Sequence, residues 1–164
     1  MNATWVAYTF PLDGSIASAV VDIDALRAGL LHGRPWLCTV DIPLLDPDDE
    51  GHVTEAEAVI LSTVEATLER LLRARHDARF VGRYTLDGRR VFCFYSPGIT
   101  RLQETVDAIM GGFPAYAPVT AILDDPDWAV YSTLLYPSTS ELERIISRGE
   151  RDLAAALPAE APAA

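Results

Sequence analysis

The stretch from Arg79 to Tyr95 constrains this chain more than any other. Arg79-Phe-Val-Gly-Arg-Tyr-Thr-Leu86 and Arg89-Arg-Val-Phe-Cys-Phe-Tyr95 are rich in β-branched and aromatic residues. Asp87-Gly88 between them is the dipeptide that a type I′ turn demands, so the segment predicts a β-hairpin. A second hairpin is predicted at the N-terminus, residues 4–23, where Asp13-Gly14 separates Thr4–Phe10 from Ile16–Ile23. Ala25 to Arg34 is mixed and punctuated by glycine. Trp36-Leu-Cys-Thr-Val-Asp-Ile42 then gives a strand that stops in the acidic loop Pro43 to Gly51.

The helical segments are marked by periodicity. Thr54 with Glu57 three positions on fits a capping box, and Ile60, Val64, Leu68, Leu71 and Leu72 repeat at helical spacing down to about His76. Ser96-Pro97-Gly98 breaks the pattern after the Arg79–Tyr95 hairpin. Leu102, Val106, Ile109 and Met110 mark a second helix, Gly111-Gly112 ends it, and Tyr116 to Leu123 reads as a strand. The order β, α, β, β, α, β over residues 36–123 predicts an α+β fold of the ferredoxin-like βαββαβ sandwich type, with two helices on one face of a four-stranded antiparallel sheet. The added N-terminal hairpin either extends the sheet edge or covers part of the face the helices leave bare.

C-terminal helices are expected over 125–157. Asp125 is placed as N-cap and Pro126 at the first helical position of a short helix through Tyr131 and Leu134. Pro137 interrupts it, Thr139 or Ser140 caps another helix carrying Leu142, Ile145, Ile146 and Leu153, and 158–164 is expected to be a disordered Ala/Pro tail.

Length and composition set the class. At 164 residues, residues 1–157 form one domain, and 49% hydrophobic with 23% charged residues is a globular composition long enough to fold without staples. Disordered chains and disulfide scaffolds are excluded. A net charge of -11, from 24 acids against 13 Lys plus Arg, argues against direct nucleic-acid and anionic-lipid contact. No apolar run reaches the roughly 18–20 residues of a membrane span, and Met1-Asn2-Ala3-Thr4-Trp5 lacks a signal-peptide start, so a cytoplasmic location is expected.

Phe80-Val-Gly-Arg-Tyr-Thr-Leu-Asp-Gly-Arg-Arg-Val-Phe-Cys-Phe-Tyr95, Asp124-Asp-Pro-Asp-Trp-Ala-Val-Tyr131, Leu135-Tyr-Pro137 and Trp5-Val-Ala-Tyr8 resemble bacterial proteins of the domain-of-unknown-function 695 family. The resemblance spans roughly residues 4–146, and Asp-Pro-x-Trp-x-x-Tyr is its most specific piece. Some members look to be joined to a domain similar to the regulator of ribonuclease E activity B, an inhibitor with a ferredoxin-like fold, although no such second domain is expected here after residue 164. The resemblance implies a fold, a bacterial cytoplasmic setting and a regulatory context. It carries no catalytic residues.

The residues offer several chemistries. Asp46, Asp48, Glu50, Gly51 and Glu57 approximate a calcium-loop spacing, but Glu stands at the fifth position and a strand precedes, so a solvated acidic loop is the simpler reading. Asp124, Asp125 and Asp127 offer carboxylates to a divalent metal beside Trp128 and Tyr131, against the simpler reading of a capped helix start. Together with Trp5 and Tyr8, as exposed aromatic and acidic groups, these five residues form the candidate protein-binding patch. Cys38 and Cys93 fall on neighbouring strands and read as buried free thiols, and His32, His52 and His76 as surface histidines without zinc spacing. Arg70, Arg73, Arg75, Arg79, Arg83, Arg89 and Arg90 read as partners for surface acids; the ribonucleoprotein motif of RNA binders is absent.

The expected function is a non-catalytic protein-interaction or regulatory module, monomer or weak homodimer, without cofactor or metal. One alternative is a ribonuclease inhibitor that acts through protein contact. The other is a small-ligand or metal-dependent enzyme using Asp124, Asp125 and Asp127.

Overall fold

A computed structural model describes residues 3–148. Strands β1 (Trp5–Leu12) and β2 (Ser15–Asp22) form the N-terminal hairpin. They are followed by β3 (Trp36–Pro43), α1 (Glu55–His76), the hairpin β4 (Arg79–Leu86) and β5 (Arg89–Ser96), α2 (Leu102–Met110) and β6 (Val119–Asp124). A π-helical turn (Tyr131–Leu135) and α3 (Thr139–Ser147) close the described chain. Both hairpins turn on Asp-Gly pairs with positive φ, 51° and 82° at Asp13-Gly14 and 48° and 77° at Asp87-Gly88, the geometry that matches strand twist. The expected α+β class holds. The six strands form one antiparallel sheet in the order β1-β2-β4-β5-β3-β6, so the N-terminal hairpin extends the edge beside β4.

The β2–β4 seam depends on Gly82. A Cβ at this position would lie 2.6 Å from the Val20 carbonyl oxygen and 3.1 Å from the Val21 Cα, and the register shift between Phe80 and Gly82 bends β4 at the same point.

Both faces are covered at the centre of the sheet. On one face α1 lays Leu61, Val64, Leu68 and Leu72, and α2 lays Leu102, Val106, Ile109 and Met110, over Cys38, Val40, Ile42, Phe80, Phe92 and Phe94. On the other, residues 23–35 and the C-terminal segment bring Ala25, Leu31, Tyr131, Leu135 and Ile145 against Val6, Val21, Leu37, Val81, Val91, Cys93 and Tyr95. This explains why β5 is buried from Val91 to Ser96 without alternation. Cys38 and Cys93 face opposite cores, so adjacency of β3 and β5 does not bring the thiols together. Both are free, and burial pushes each up to about 12.

Several local expectations need correction. Thr54 precedes α1 but makes no side-chain cap, and Glu57 accepts from the Leu45 and Asp46 amides (2.7 and 2.9 Å) and from the Tyr116 hydroxyl (2.7 Å) instead of returning to the N-cap. The missing cap forgoes about 1 kcal/mol. Each fully buried apolar side chain of α1 contributes about 1.5–3 kcal/mol, which outweighs it.

Ile60 is exposed and Leu61 takes its place in the core; at about 100° per residue Ile60 lies roughly 90° from the centre of the buried stripe. Strand β6 starts at Val119, because Tyr116 turns inward to Glu57. Ser138, not Thr139 or Ser140, caps α3 through a reciprocal box with Glu141. Leu153 and the expected tail over 158–164 lie outside the described residues.

Gly82→Ala is expected to lower the unfolding free energy by about 1–3 kcal/mol in urea denaturation, because the added methyl has only β2 backbone to displace. Gly98→Ala, which meets nothing within 4 Å, should stay within about 0.5 kcal/mol of the parent.

Candidate functional site

The seven residues expected to form an exposed patch do not form one. Trp5 is 4% exposed and stacks on Phe80 in the helix-side core, with ring centroids 5.4 Å apart. Tyr8, three positions along the same strand, points to the opposite face, and its hydroxyl donates to the Leu135 carbonyl. Tyr131 is 1% exposed and donates to the Asp22 carbonyl at 2.7 Å. Of the seven, only Asp124 and Asp127 are well exposed, and Trp128 is half-buried. Exposure, the premise for grouping them, therefore fails for Trp5, Tyr8, Asp125 and Tyr131.

The Asp124–Tyr131 segment is a clasp. Asp125 accepts from the Tyr95 hydroxyl (2.7 Å) and from the amides of Ala129 (2.8 Å) and Val130 (3.1 Å), so it caps the turn from four residues upstream rather than as the N-cap before Pro126. Pro126 and Asp127 form the intervening turn. Trp128 holds φ at 54°, rare for a bulky residue, and its indole nitrogen donates to the Arg34 carbonyl at 3.0 Å. The π-helical turn closes with Tyr136 N–H donating to Tyr131 C=O at 2.8 Å, and it carries both Tyr131 and Leu135 into the core. Burial works to raise the Asp125 carboxyl, but the bonds from Tyr95, Val130 and Ala129 outweigh it and hold it below the usual carboxylate range. Asp125 is thus spent on structure. Among the described residues, no group of three or more His, Cys, Asp or Glu side chains converges as a metal site.

The calcium-like loop also closes on itself. Asp48 Oδ1 accepts from the Glu50 and His52 amides, both at 2.9 Å, while Glu57 points away to hold Leu45 and Asp46. Gly51 is needed for another reason: at φ 79° its missing Cβ would lie 2.7 Å from the Gly88 amide nitrogen, where the loop rests on the β4–β5 turn.

What remains open is a groove, and its origin is geometric. A helix about 10 Å wide covers roughly two strands spaced about 4.8 Å apart, so two helices cover four strands of six. Trp5 and Val20 reach the helix-side core from the hairpin, but the rest of its helix-side face is left uncovered by the described residues beside α1, with Ala7, Thr9 and Ile16 exposed and Ser18 half-buried. One hollow of about 660 Å³ runs along α1 and is lined by Val53, Thr54, Glu55, Ala58, Val59, Ser62, Thr63, Glu65, Arg83 and Arg90. A second of about 340 Å³ lies over the hairpin and shares Arg83 and Arg90.

The groove floor is charged. Glu57 and Glu65 fall within the buried stripe of α1, and Glu65 pairs with Arg83 at 2.5 Å, each side chain about 10% exposed. Arg90 donates through Nε to Thr85 Oγ1 at 2.9 Å. Burial, then neighbouring Arg83, lower the Arg90 guanidinium to about 10 against the opposing pull of Glu65 and Glu57, so it remains charged at neutral pH.

Surface acids do pair with Arg79 (Asp77, 3.0 Å) and Arg89 (Asp41, 2.7 Å), while Arg73 pairs with the largely buried Glu69 (3.5 Å). Arg83, bound to the buried Glu65, and Arg90, bound to Thr85 Oγ1, line the groove from the sheet. The sequence did hold a signal, acids at core positions 57 and 65 of an amphipathic helix facing arginines on an otherwise apolar hairpin.

Because the Asp125 carboxyl is depressed in the folded chain, its contribution is fully present above its unfolded value near 4 and fades as pH falls through the lower folded value. Asp125→Asn is expected to cost about 1–3 kcal/mol near pH 7. The gap to the parent should narrow below about pH 4 in urea unfolding at stepped pH.

A model of the family of unknown function DUF695 matches residues 3–136. No curated protein and no solved structure matches the chain. The whole sheet, the two helices α1 and α2 and the Asp125 clasp lie within the matched span, and the chain belongs to the DUF695 family.

Proposed function

We propose that this protein is a non-catalytic interaction module of a regulatory kind, cytoplasmic, which docks a protein partner in the groove between α1 and the N-terminal hairpin. The observation that carries the reading is the strip of Ala7, Thr9 and Ser18 on β1 and β2 that the described residues leave uncovered, flanked by the apolar side chains of Val53, Ala58 and Val59 and floored by Arg83 and Arg90. Val59 is 71% exposed on that wall, an apolar residue that a partner would cover. We assign the core to the ferredoxin-like sandwich with the hairpin added to its edge. The partial strand order β4-β5-β3-β6, with α1 and α2 on one face, supports that assignment.

A second reading, inhibition of a ribonuclease, is supported by the loop ahead of α1, where Asp46, Asp48, Asp49 and Glu50 are all exposed. Such a surface competes with RNA for a basic groove, and salt weakens the contact. The metal-dependent alternative loses its centre, since the Asp125 carboxylate is taken by Tyr95 and two amides.

The test is affinity capture from a lysate of the source organism with tagged parent and Val59→Glu, at low and high salt. A stoichiometric protein partner held by the parent and lost by Val59→Glu is expected. Equal capture by both would move the docking face elsewhere, and no partner at either salt would end the reading. A ribonuclease released at high salt would select the second form.

A further inference from the structure

We propose that Arg90 anchors a single carboxylate in the groove, and that the ligand is a protein segment joining one acidic side chain to an apolar neighbour. This rests on the docking role proposed above and names the chemistry of the segment that docks. Arg90 lines both hollows. Its Nε is committed to Thr85 Oγ1, which fixes the guanidinium plane, and neither terminal nitrogen has an acceptor among the described residues.

The nearby acids are already engaged. Glu65 holds Arg83, and both Glu57 oxygens are taken by Leu45, Asp46 and Tyr116. Arg90 therefore brings a positive charge to the groove floor that no carboxylate of the described residues meets. At one end of the same groove Thr54 Oγ1 is buried with no hydrogen-bond partner among the described residues. A guanidinium held in plane, with both terminal nitrogens available, matches a carboxylate through two parallel hydrogen bonds.

The surroundings select among anions. Glu55 lines the groove, the loop from Asp46 to Glu50 leads into it, and the chain carries -11, so dianions and polyanions are repelled more strongly than a single carboxylate. Val53, Ala58 and Val59 supply an apolar wall that a bare ion does not use.

The experiment titrates the ¹⁵N-labelled full chain with N-acetyl-Leu-Glu amide, its Leu-Gln counterpart and inorganic phosphate, following the Arg90 Nε–H resonance and the Thr54 and Val59 amides. The Leu-Glu peptide is expected to shift all three. The Leu-Gln peptide, and Leu-Glu on Arg90→Gln, should bind roughly tenfold or more weakly, the factor for losing a charge-assisted pair. Arg90→Lys should fall between, since it keeps the charge and loses the fork.

Equal binding of the two peptides, undiminished binding by Arg90→Gln, or no binding to the parent would overturn the assignment. Phosphate binding tighter than Leu-Glu would overturn the carboxylate choice in favour of phosphoryl ligands. If Arg90→Gln melts early, the peptide pair on the parent and Arg90→Lys decide the matter. Partner capture lost in Val59→Glu with no peptide binding leaves the docking face and removes the anchor. Peptide binding with capture unaffected by Val59→Glu leaves the anchor and removes the docking reading.

Discussion

The centre of the sheet is buried on both faces, and that constraint organises the rest of the molecule. From Val91 to Ser96 every residue of β5 is buried, with Phe92 and Phe94 toward the helices and Val91, Cys93 and Tyr95 toward the other side. Two apolar faces require two covering layers. The helix layer is supplied within the β3–β6 unit. The second comes from the connection after β2 and the chain after β6, segments far apart in sequence. Hydrogen bonds from Tyr8 to Leu135, Tyr131 to Asp22, Tyr95 to Asp125 and Trp128 to Arg34 hold that layer in place. Each satisfies a polar tip on a side chain whose ring is wanted in the core.

The same constraint explains where the molecule is left open. Beyond Trp5 and Val20, the described residues leave the helix-side face of β1 and β2 uncovered where these strands extend the sheet past α1. The bare strip would be ordinary surface if its floor were apolar or hydrated. Instead α1 turns Glu65 inward to pair with Arg83, and the sheet adds Arg90 held by Thr85, so the groove has a fixed electrostatic pattern built on rigid elements. Fixed charges on such elements favour recognition, because little is reordered when a ligand arrives.

The segment most specific to the family resemblance proves to be structural. Its aspartates looked like ligands because carboxylates crowd within four positions. One of them, Asp125, instead meets the demands of two amides and a tyrosine, and the strained backbone at Trp128 is held by the indole bond and the packing around it.

Local chemistry in the sequence was sufficient for the elements. The two Asp-Gly turns, α1 from Glu55 to His76, α2 with its Gly111 stop and the family all follow from short-range patterns, because turn geometry and helical periodicity are decided by neighbours along the chain. Burial is decided between distant segments, so Trp5 and Tyr8 could not be recognised as core from their own strand, and Thr54-Glu57 matched a capping box whose acid is claimed by residues up to 59 positions away. Which segments cover the two faces of β5, and hence which strip the described residues leave open over Arg83 and Arg90, was decided only when six strands met two helices.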